Sequence, residues 1–483
     1  PPRAISFGEV KATANRLANS LLALGVERGD RVGIVLGQRP ETAIAHVATY
    51  RLGAVAVPMS ILFGVDALEH RFQDSGVRVI LTDAERLERV EEAARGTGAT
   101  LVLVDAEPRR PHLGLSSLLT GASAAFEPVA TTPETPALLI YTSGTTGPPK
   151  GALHGHRVVL GHQPGFQLSH DDFPQPGDRF WTVADWAWIG GLINGLLSSW
   201  YHGTPIVVAS RAGFDPEWAA GVITTHGVRN TFIPPTALKL MRNADVALAG
   251  SLRTVMSGGE SLGADLLAWG REALGVTVNE IYGQTEANYV IGNSQACWPV
   301  RPGSMGRAYP GHTVAVVDEA GAVLPQGEAG EVAVALPDPV AFLGYWGAEE
   351  ATAEKTRGGW LRTGDRAMLD ADGYFWFAGR TDDVISSGGY RMGPEEIEQC
   401  LMRHPAVALA AAIGVPDETR GEVVKAFLLL TDGFRPSPEL EADVRQYVRS
   451  RLAAYEAPRV IEFVDEIPLT VTGKVQRRAL RAR

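Results

Sequence analysis

Four short, largely apolar runs open the chain, at residues 31–36 (RVGIVL), 54–57 (AVAV), 77–81 (VRVIL) and 101–104 (LVLV), with helical periodicity between them. Strands buried on both faces read as near-continuous apolar runs, and parallel strands need crossover connections, usually helices. The pattern predicts an α/β architecture: a parallel sheet covered on both faces, with ligands at the carboxyl ends of strands. The first helix is bounded within the sequence. Ser6-Phe7-Gly8-Glu9 has capping-box spacing; Val10, Ala14, Leu17, Leu21 and Leu24 follow at helical intervals; Gly25 is a C′ stop. Pro40 starts the next helix.

The alternation fades over 107–136, which reads as a loop-rich crossing. It resumes with strands expected at 137–141 (ALLIY), 205–209, 231–233, 254–256 and 277–281. Beyond Gly303 the texture changes. Strands at 313–318, 330–335 and 373–377, punctuated by Gly and Pro, read as antiparallel pieces of a small barrel or sheet. After Arg380 come a helix at 394–403, strands at 408–415 and 423–430, a helix at 438–452 and a strand at 460–463, a compact α+β unit. A chain of 483 residues exceeds one compact core. The expected domains are 1–380, with 302–380 as a β-rich subdomain, and 381–483.

The net charge of −11 repels a phosphate backbone and makes nucleic acid a poor partner. A phosphate ligand must then be held by local cations and backbone N–H groups. Cys297 and Cys400 form neither a disulfide framework nor a metal spacing. The start, Pro1-Pro2-Arg3, lacks a signal pattern and an initiator methionine, so residues before Pro1 are left open. The most apolar stretch, 186–197, is too short to span a bilayer. A soluble cytoplasmic protein without stable membrane insertion is expected, with the oligomeric state open and a homodimer one option.

Residues 141–151 (YTSGTTGPPKG) carry the strongest chemical signal. A strand delivers a turn of small residues whose N–H groups and hydroxyls converge, and Lys150 adds a cation, which suits a polyphosphate. The spacing is not that of a Walker loop. A Gly/Ser/Thr cluster on its own reads equally as a surface loop. His154, His156 and His162 read as structural or loop histidines in preference to a metal site. Ser143 lacks the G-x-S-x-G elbow of a hydrolase.

The string resembles the phosphate-binding signature of the adenylate-forming superfamily, which comprises acyl- and aryl-CoA synthetases, luciferases and adenylation domains of peptide synthetases. Four further motifs follow in the family's order. Tyr282-Gly283-Gln284-Thr285-Glu286 resembles its Y-x-x-T-E motif, and Thr363-Gly364-Asp365 its ribose-binding motif. Residues 379–383 (GRTDD), continuing to 389–391 (GYR), resemble its hinge. Thr472-Gly473-Lys474 resembles its catalytic-lysine motif. Residues 386–398 and 420–427 are similar to medium-chain acyl-CoA synthetases.

The resemblance implies a large N-terminal domain of stacked α/β sheets with a small β-barrel subdomain, and a small mobile α+β C-terminal domain. It implies an AMP-forming acyl-CoA synthetase, in which ATP and a carboxylic acid give acyl-AMP, and coenzyme A (CoA) then gives the thioester. Phosphates would be held by Thr142, Ser143, Gly144, Thr145, Thr146, Gly147 and Lys150, and Mg²⁺ by Glu286 and Thr145. The nucleotide would lie against Gly259, Glu260, Ser261, Tyr282, Gly283 and Gln284, its ribose on Asp365, with Arg380 and Arg391 nearby. Thr285 and Lys474 would stabilise the reacting carboxylate and α-phosphate. Asp382 would be the hinge of domain alternation. Gly388, Gly389, Tyr390 and Arg420 would meet CoA, although Gly388 stands where relatives often place Ser.

Trp188, Gly258 and Gly283 would line the acyl pocket. Acetate-using members carry Val and Trp at the two glycine positions, so the glycines are expected to enlarge the pocket for a medium-chain, branched or aryl acid of fatty acid metabolism. Taken singly, Lys474 reads as a solvated basic tail, Asp365 as a turn residue, Glu286 as a helix-start charge and Trp188 as core. Competing functions are an acyl-AMP ligase that loads a carrier protein and a catalytically silent nucleotide-binding regulator.

Overall fold

The computed structural model describes residues 3–106, 111–142, 149–211, 213–260, 262–380, 383, 385–387, 390–417, 421–451, 456–470 and 473–482. Residues 380, 386, 387, 390–392, 396 and 421 are described as backbone only. The chain forms two compact units: Pro1–Val314 with Val334–Leu361, and Ala315–Ala333 with Arg362–Arg483.

Unit 1 begins with helix Phe7–Ala23. Ser6 and Glu9 cap each other reciprocally, and Gly25, at φ 83°, closes a Schellman turn in which Val26 N–H reaches Leu21 O at 3.0 Å. The cap contributes roughly 0.5–2 kcal/mol. Leu17 and Leu21 anchor the helix in the core.

The first sheet of unit 1 runs in the order Gly344–Tyr345, Lys150–Gly155, Pro136–Thr142, Val55–Pro58, Arg31–Val35, Val79–Thr82, Thr100–Leu103, Leu113–Gly114. Successive side chains serve opposite faces, as a strand requires. Ala56, Leu81, Leu138 and Ile140 join one apolar cluster, whereas Val55, Val57, Ile80, Leu139 and Tyr141 join another. The four expected strands are parallel, and the sheet gains an antiparallel addition at one edge. Lys150–Gly155 pairs antiparallel with both its neighbours; only seven residues, 143–149, separate it from Pro136–Thr142, too few for the crossover that parallel pairing needs.

A second set of strands in unit 1 runs Ser304–Ala308, Ile291–Gly292, Val278–Tyr282, Thr254–Gly258, Asn230–Phe232, Phe180–Thr182. Alternation again divides the core: Trp181, Val255 and Val278 face one cluster, Phe180, Phe232, Met256 and Ile281 the other. The strand expected at 205–209 is reduced to a bridge between Ile206 and Phe180. The crossing at 107–136 contains a short strand, Leu113–Gly114, and a helix, Leu115–Leu119; residues 107–110 lie outside the described set.

Strands Val314–Val317, Ala329–Ala335, Trp360–Leu369 and Phe375–Arg380, which lie mostly in unit 2, neighbour one another in that order. A separate sheet is built on Gly421–Leu430, antiparallel to Val407–Asp417 and parallel to Val460–Phe463. Helices Pro394–Met402 and Pro438–Arg449 cover one face through Ile397, Leu401, Val444 and Val448. Among the described residues, no helix is long and apolar enough to cross a membrane.

Candidate active site

Four neighbouring strands of unit 1, Phe180–Thr182, Asn230–Phe232, Thr254–Gly258 and Val278–Tyr282, are parallel. Their carboxyl ends therefore share one edge, where open α/β sheets bind ligands. Trp188 follows the first strand, Thr236 the second, Gly258-Gly259-Glu260 the third and residues 282–286 the fourth. Gly258 pairs with Ile281, so the last two motifs lie side by side. Gly259 adopts φ 96°, and a side chain there would meet no atom within 4 Å. Its exposed backbone can lie flat against an aromatic base. Glu260 accepts hydrogen bonds from the Thr236 hydroxyl at 3.0 and 3.1 Å. Ser261 lies outside the described residues.

The turn after Tyr282 is held on several sides. Gln284 N–H donates to Ala287 O, and the Lys355 ammonium donates to Gln284 Oε1 at 3.2 Å. Glu286 is 8% exposed; its Oε1 accepts from the Tyr345 hydroxyl, and its carbonyl accepts from Phe342 N–H at 2.8 Å. His154 lies by the Thr285 backbone, and His162 bonds to Asn288 of the same turn. Burial drives the His154 pKa down to about 3 and the His162 pKa down to about 4. His162 is neutral: Nδ1–H donates to Val158 O, and Nε2 accepts from the Asn288 amide at 2.9 Å. Asn288 also donates to Asn194 Oδ1 at 2.7 Å. Tyr289, at φ 71°, occupies a backbone region that costs about 1–3 kcal/mol for such a residue. Its buried ring packs edge-on against Tyr309, and its hydroxyl bonds with Ser169. These contacts hold the turn rigid.

Thr142 and Lys150 face each other across the antiparallel pair, bracketing residues 143–148. Ser143, Gly144, Thr145, Thr146 and Gly147 lie outside the described residues. The pair is braced from below: the Tyr141 hydroxyl donates to Asp74 at 2.6 Å, and Trp346 N–H donates to Gly151 O at 2.7 Å. The Lys150 ammonium lies 5.5 Å from the centre of the Tyr345 ring. Tyr345 thus touches both Lys150 and Glu286.

Of the two tryptophans at 186 and 188, Trp186 belongs to the core. Trp188 is only partly buried and meets Phe63 edge-on at 5.9 Å. The Arg71 guanidinium lies 4.0 Å over the other ring of that pair, Phe63. Gly258 and Gly283 lie close to neighbouring backbone. A Cβ at Gly283 would lie 2.2 Å from Tyr289 N, and one at Gly258 would lie 2.6 Å from Ile281 O. Backbone, and not open pocket, fills the space that their missing side chains leave. The glycines permit close packing of the 283–289 turn and of adjacent strands.

In unit 2, Asp365 lies on Trp360–Leu369 and pairs in register with Arg380. It is 6% exposed, and its N–H donates to the Thr363 hydroxyl at 3.1 Å. Gly364, at φ 76°, donates to Glu331, which also pairs with Arg362 at 2.6 Å. Arg380, Tyr390 and Arg391 are placed by backbone alone; Asp382, Gly388, Gly389 and Arg420 lie outside the described residues. Lys474 is exposed on a hairpin in which its carbonyl accepts from Thr470 N–H at 2.7 Å. Tyr345, Lys355 and Phe342 were not found by motif, because each acts through a contact distant in sequence.

The AMP-binding enzyme family matches residues 1–346, and the AMP-binding enzyme C-terminal domain matches residues 396–474. Acetyl-coenzyme A synthetase of Bacillus subtilis (strain 168) is 35% identical over 491 residues, covering 99% of this chain and 84% of that protein. Human mitochondrial acyl-coenzyme A synthetase ACSM4 is 36% identical over 488 residues, covering 99% and 83%. Among solved structures, the anthranilate CoA ligase AuaEII in complex with anthranoyl-AMP superposes with a TM-score of 0.89 at 32% identity, covering 100% of this chain and 92% of that one. ATP-bound MatB from Rhodopseudomonas palustris gives 0.87 at 29%, covering 99% and 93%. The chain therefore belongs to the AMP-binding enzymes and, within them, to the acyl-CoA synthetases.

Proposed function

We propose that this synthetase joins ATP and an acid larger than acetate, and that the product is released as a free CoA thioester. The observation that carries the reading is the shared carboxyl edge of four parallel strands, which gathers Trp188, Gly259, Glu260 and the 282–286 turn. A carboxylate oxygen attacks the α-phosphorus of ATP, and the bond to pyrophosphate breaks. The CoA sulfur then attacks the acyl carbon and AMP leaves. Both steps crowd anions, so fixed cations and N–H groups aimed at the developing charge lower the barrier.

The roles follow from chemistry. Thr142, Lys150 and the intervening 143–147 segment cradle phosphates. Gly259 and Glu260, with Ser261, Tyr282, Gly283 and Gln284, hold the base. Asp365 as a carboxylate accepts from ribose hydroxyls, with Arg380 and Arg391 beside the nucleotide. Lys474 and Thr285 bind the reacting carboxylate and α-phosphate. Glu286 fits a hard divalent cation, which takes few protein carboxylates and keeps water and phosphate oxygens. Tyr345 fixes one of its oxygens, and the other remains for the ion. When bound, Mg²⁺ would supply charge neutralisation on the phosphates.

Residues 381–483 act as the mobile domain, turning about Asp382 so that Lys474 serves adenylation and 388–390, with Arg420, serve CoA. The partly buried Trp188, edge-on to the buried Phe63, supports a hydrocarbon or aryl acid. The cytoplasm is the compartment we propose, since the exposed Cys297 is a free thiol.

Acid-dependent exchange of pyrophosphate into ATP, across a panel of acids, followed by addition of CoA, tests the whole reading. Several acids of four or more carbons should support exchange. Acetate outperforming every longer acid in kcat/KM would overturn the substrate class. Turnover only on a carrier protein would overturn free CoA.

A further inference from the structure

The hairpin that carries Lys474 is closed by its own bonds. Leu469 and Val475 form an antiparallel bridge, Lys474 N–H donates to Thr470 Oγ1 at 3.0 Å, and Gln476 N–H donates to Pro468 O at 2.8 Å. These bonds set the shape of the hairpin. They do not set its place in the unit. That is done by the next residues. Arg477 donates to both oxygens of Glu398, from Nη2 at 2.6 Å and Nε at 3.1 Å, and from Nη1 to Asp383 at 3.0 Å. Arg481 reaches Asp383 as well, at 3.3 Å. Glu398 lies on helix Pro394–Met402 and also accepts from Ala412 N–H at 2.8 Å on strand Val407–Asp417. Leu480 inserts among Ala411, Ile413 and Phe427.

The three charged groups are largely shielded from water; Glu398 retains 7% of its side-chain exposure and Asp383 14%. Burial raises the Glu398 pKa, with Arg477 opposing. Burial alone would lower the Arg477 pKa, and Glu398 and Asp383 together hold it above its ordinary value. One guanidinium thus joins a buried and a partly buried carboxylate. One of them, Asp383, directly follows the proposed hinge residue.

We propose that Arg477 is a positioning residue for Lys474: the Asp383–Arg477–Glu398 triad locks the lysine hairpin to the segment after the hinge, so that both move as one body. The inference rests on the adenylation reading above. A planar fork held at both carboxylate oxygens fixes orientation as well as distance, which a point charge does not. A displacement on the order of 1 Å in a group that stabilises a reacting centre costs about 100-fold in rate.

The test uses the full chain with Arg477→Gln and Arg477→Lys. Three quantities are read: kcat and KM for ATP in pyrophosphate exchange, thioester formation from supplied acyl-AMP and CoA, and amide exchange over 470–476. Arg477→Gln should lower the exchange kcat by roughly 10- to 100-fold. It should leave the KM for ATP and the thioester step nearly unchanged, and speed amide exchange in the hairpin. Arg477→Lys, which keeps the charge and loses the fork, should recover part of the rate. Unchanged pyrophosphate exchange, or equal loss in both half-reactions, overturns the proposal. Should Arg477→Gln fail to fold, Asp383→Asn removes one acceptor and should show the same split with a smaller loss. If the wild-type chain exchanges pyrophosphate with no acid, the adenylation reading fails; amide exchange then still reports whether the triad holds the hairpin.

Discussion

Glu286 and Lys474 are held by opposite means. Glu286 is buried, with its carboxylate and its carbonyl bonded to Tyr345 and Phe342 from a segment about sixty residues away in sequence. Lys474 is exposed at the tip of a hairpin, and its anchoring lies behind it, in Arg477. A group whose charge must be in place before substrate arrives is best frozen by packing, since preorganised charge needs no rearrangement during reaction. A group that must serve one step and leave for the next is best exposed on a rigid carrier. On the proposed reading, the contrast is between a fixed carboxylate in unit 1 and a presented cation in unit 2.

Lys474→Ala should have the largest effect. Pyrophosphate exchange should fall by at least about 10²–10³-fold, the scale of losing one fixed stabilising group. Thioester formation from supplied acyl-AMP should persist. Equal loss of both steps would refute the division of labour between the exposed cation and the rest of the site.

Acid should then separate the units. His46, His154 and His170, each with a pKa pushed down to about 3, and His162, at about 4, all lie in unit 1 and are neutral by burial. Unfolded, each titrates near 6.5, so the unfolded state binds more protons below that pH. Their contribution is complete above pH 6.5 and is lost as pH falls towards the folded values. At pH 5 this amounts to about 1–2 kcal/mol per histidine. Glu398 in unit 2, raised by burial, has the opposite sign: its contribution is complete below its unfolded pKa and is lost as pH rises. Amide exchange at pH-corrected rates should therefore show opening of strand Lys150–Gly155 and of helix Gln163–Ser169, which His170 follows, between pH 7 and 5 before the 407–430 strands. Opening of unit 2 first would contradict this account.

Much of this was legible. The capping box at Ser6 and the strand at 460–463 stand where the sequence places them, because local bonding decides the first and a short run rich in β-branched and aromatic residues the second. Strand Trp360–Leu369 was hidden. Its inward residues Leu361, Thr363, Asp365 and Ala367 are all buried, yet two of the four are polar, so the period-two signal disappears just where the ribose motif lies. The packing of the glycines was hidden for a related reason. Sequence shows an absent side chain but not the Tyr289 backbone that occupies its place. Tyr345 and Arg477 carry no motif at all; their meaning arises only when folding brings Glu286, Asp383 and Glu398 against them.

Tyr345→Phe gives the smallest effect and the sharpest reading of the comparison. The change removes one hydroxyl and keeps the ring beside Lys150 and against Phe342, at 4.9 Å between centres. What is lost is the donor to a buried carboxylate. Leaving such an acceptor unpaired costs about 1–3 kcal/mol, so the melting temperature should fall by a few degrees. Glu286 then rotates more freely, and the exchange reaction should need more Mg²⁺ to reach half its maximal rate, while thioester formation from acyl-AMP stays constant. If stability falls with no change in the Mg²⁺ dependence, the tyrosine is only a brace for the fold. If both shift, the rigidity of unit 1 is itself part of how the carboxylate is kept ready.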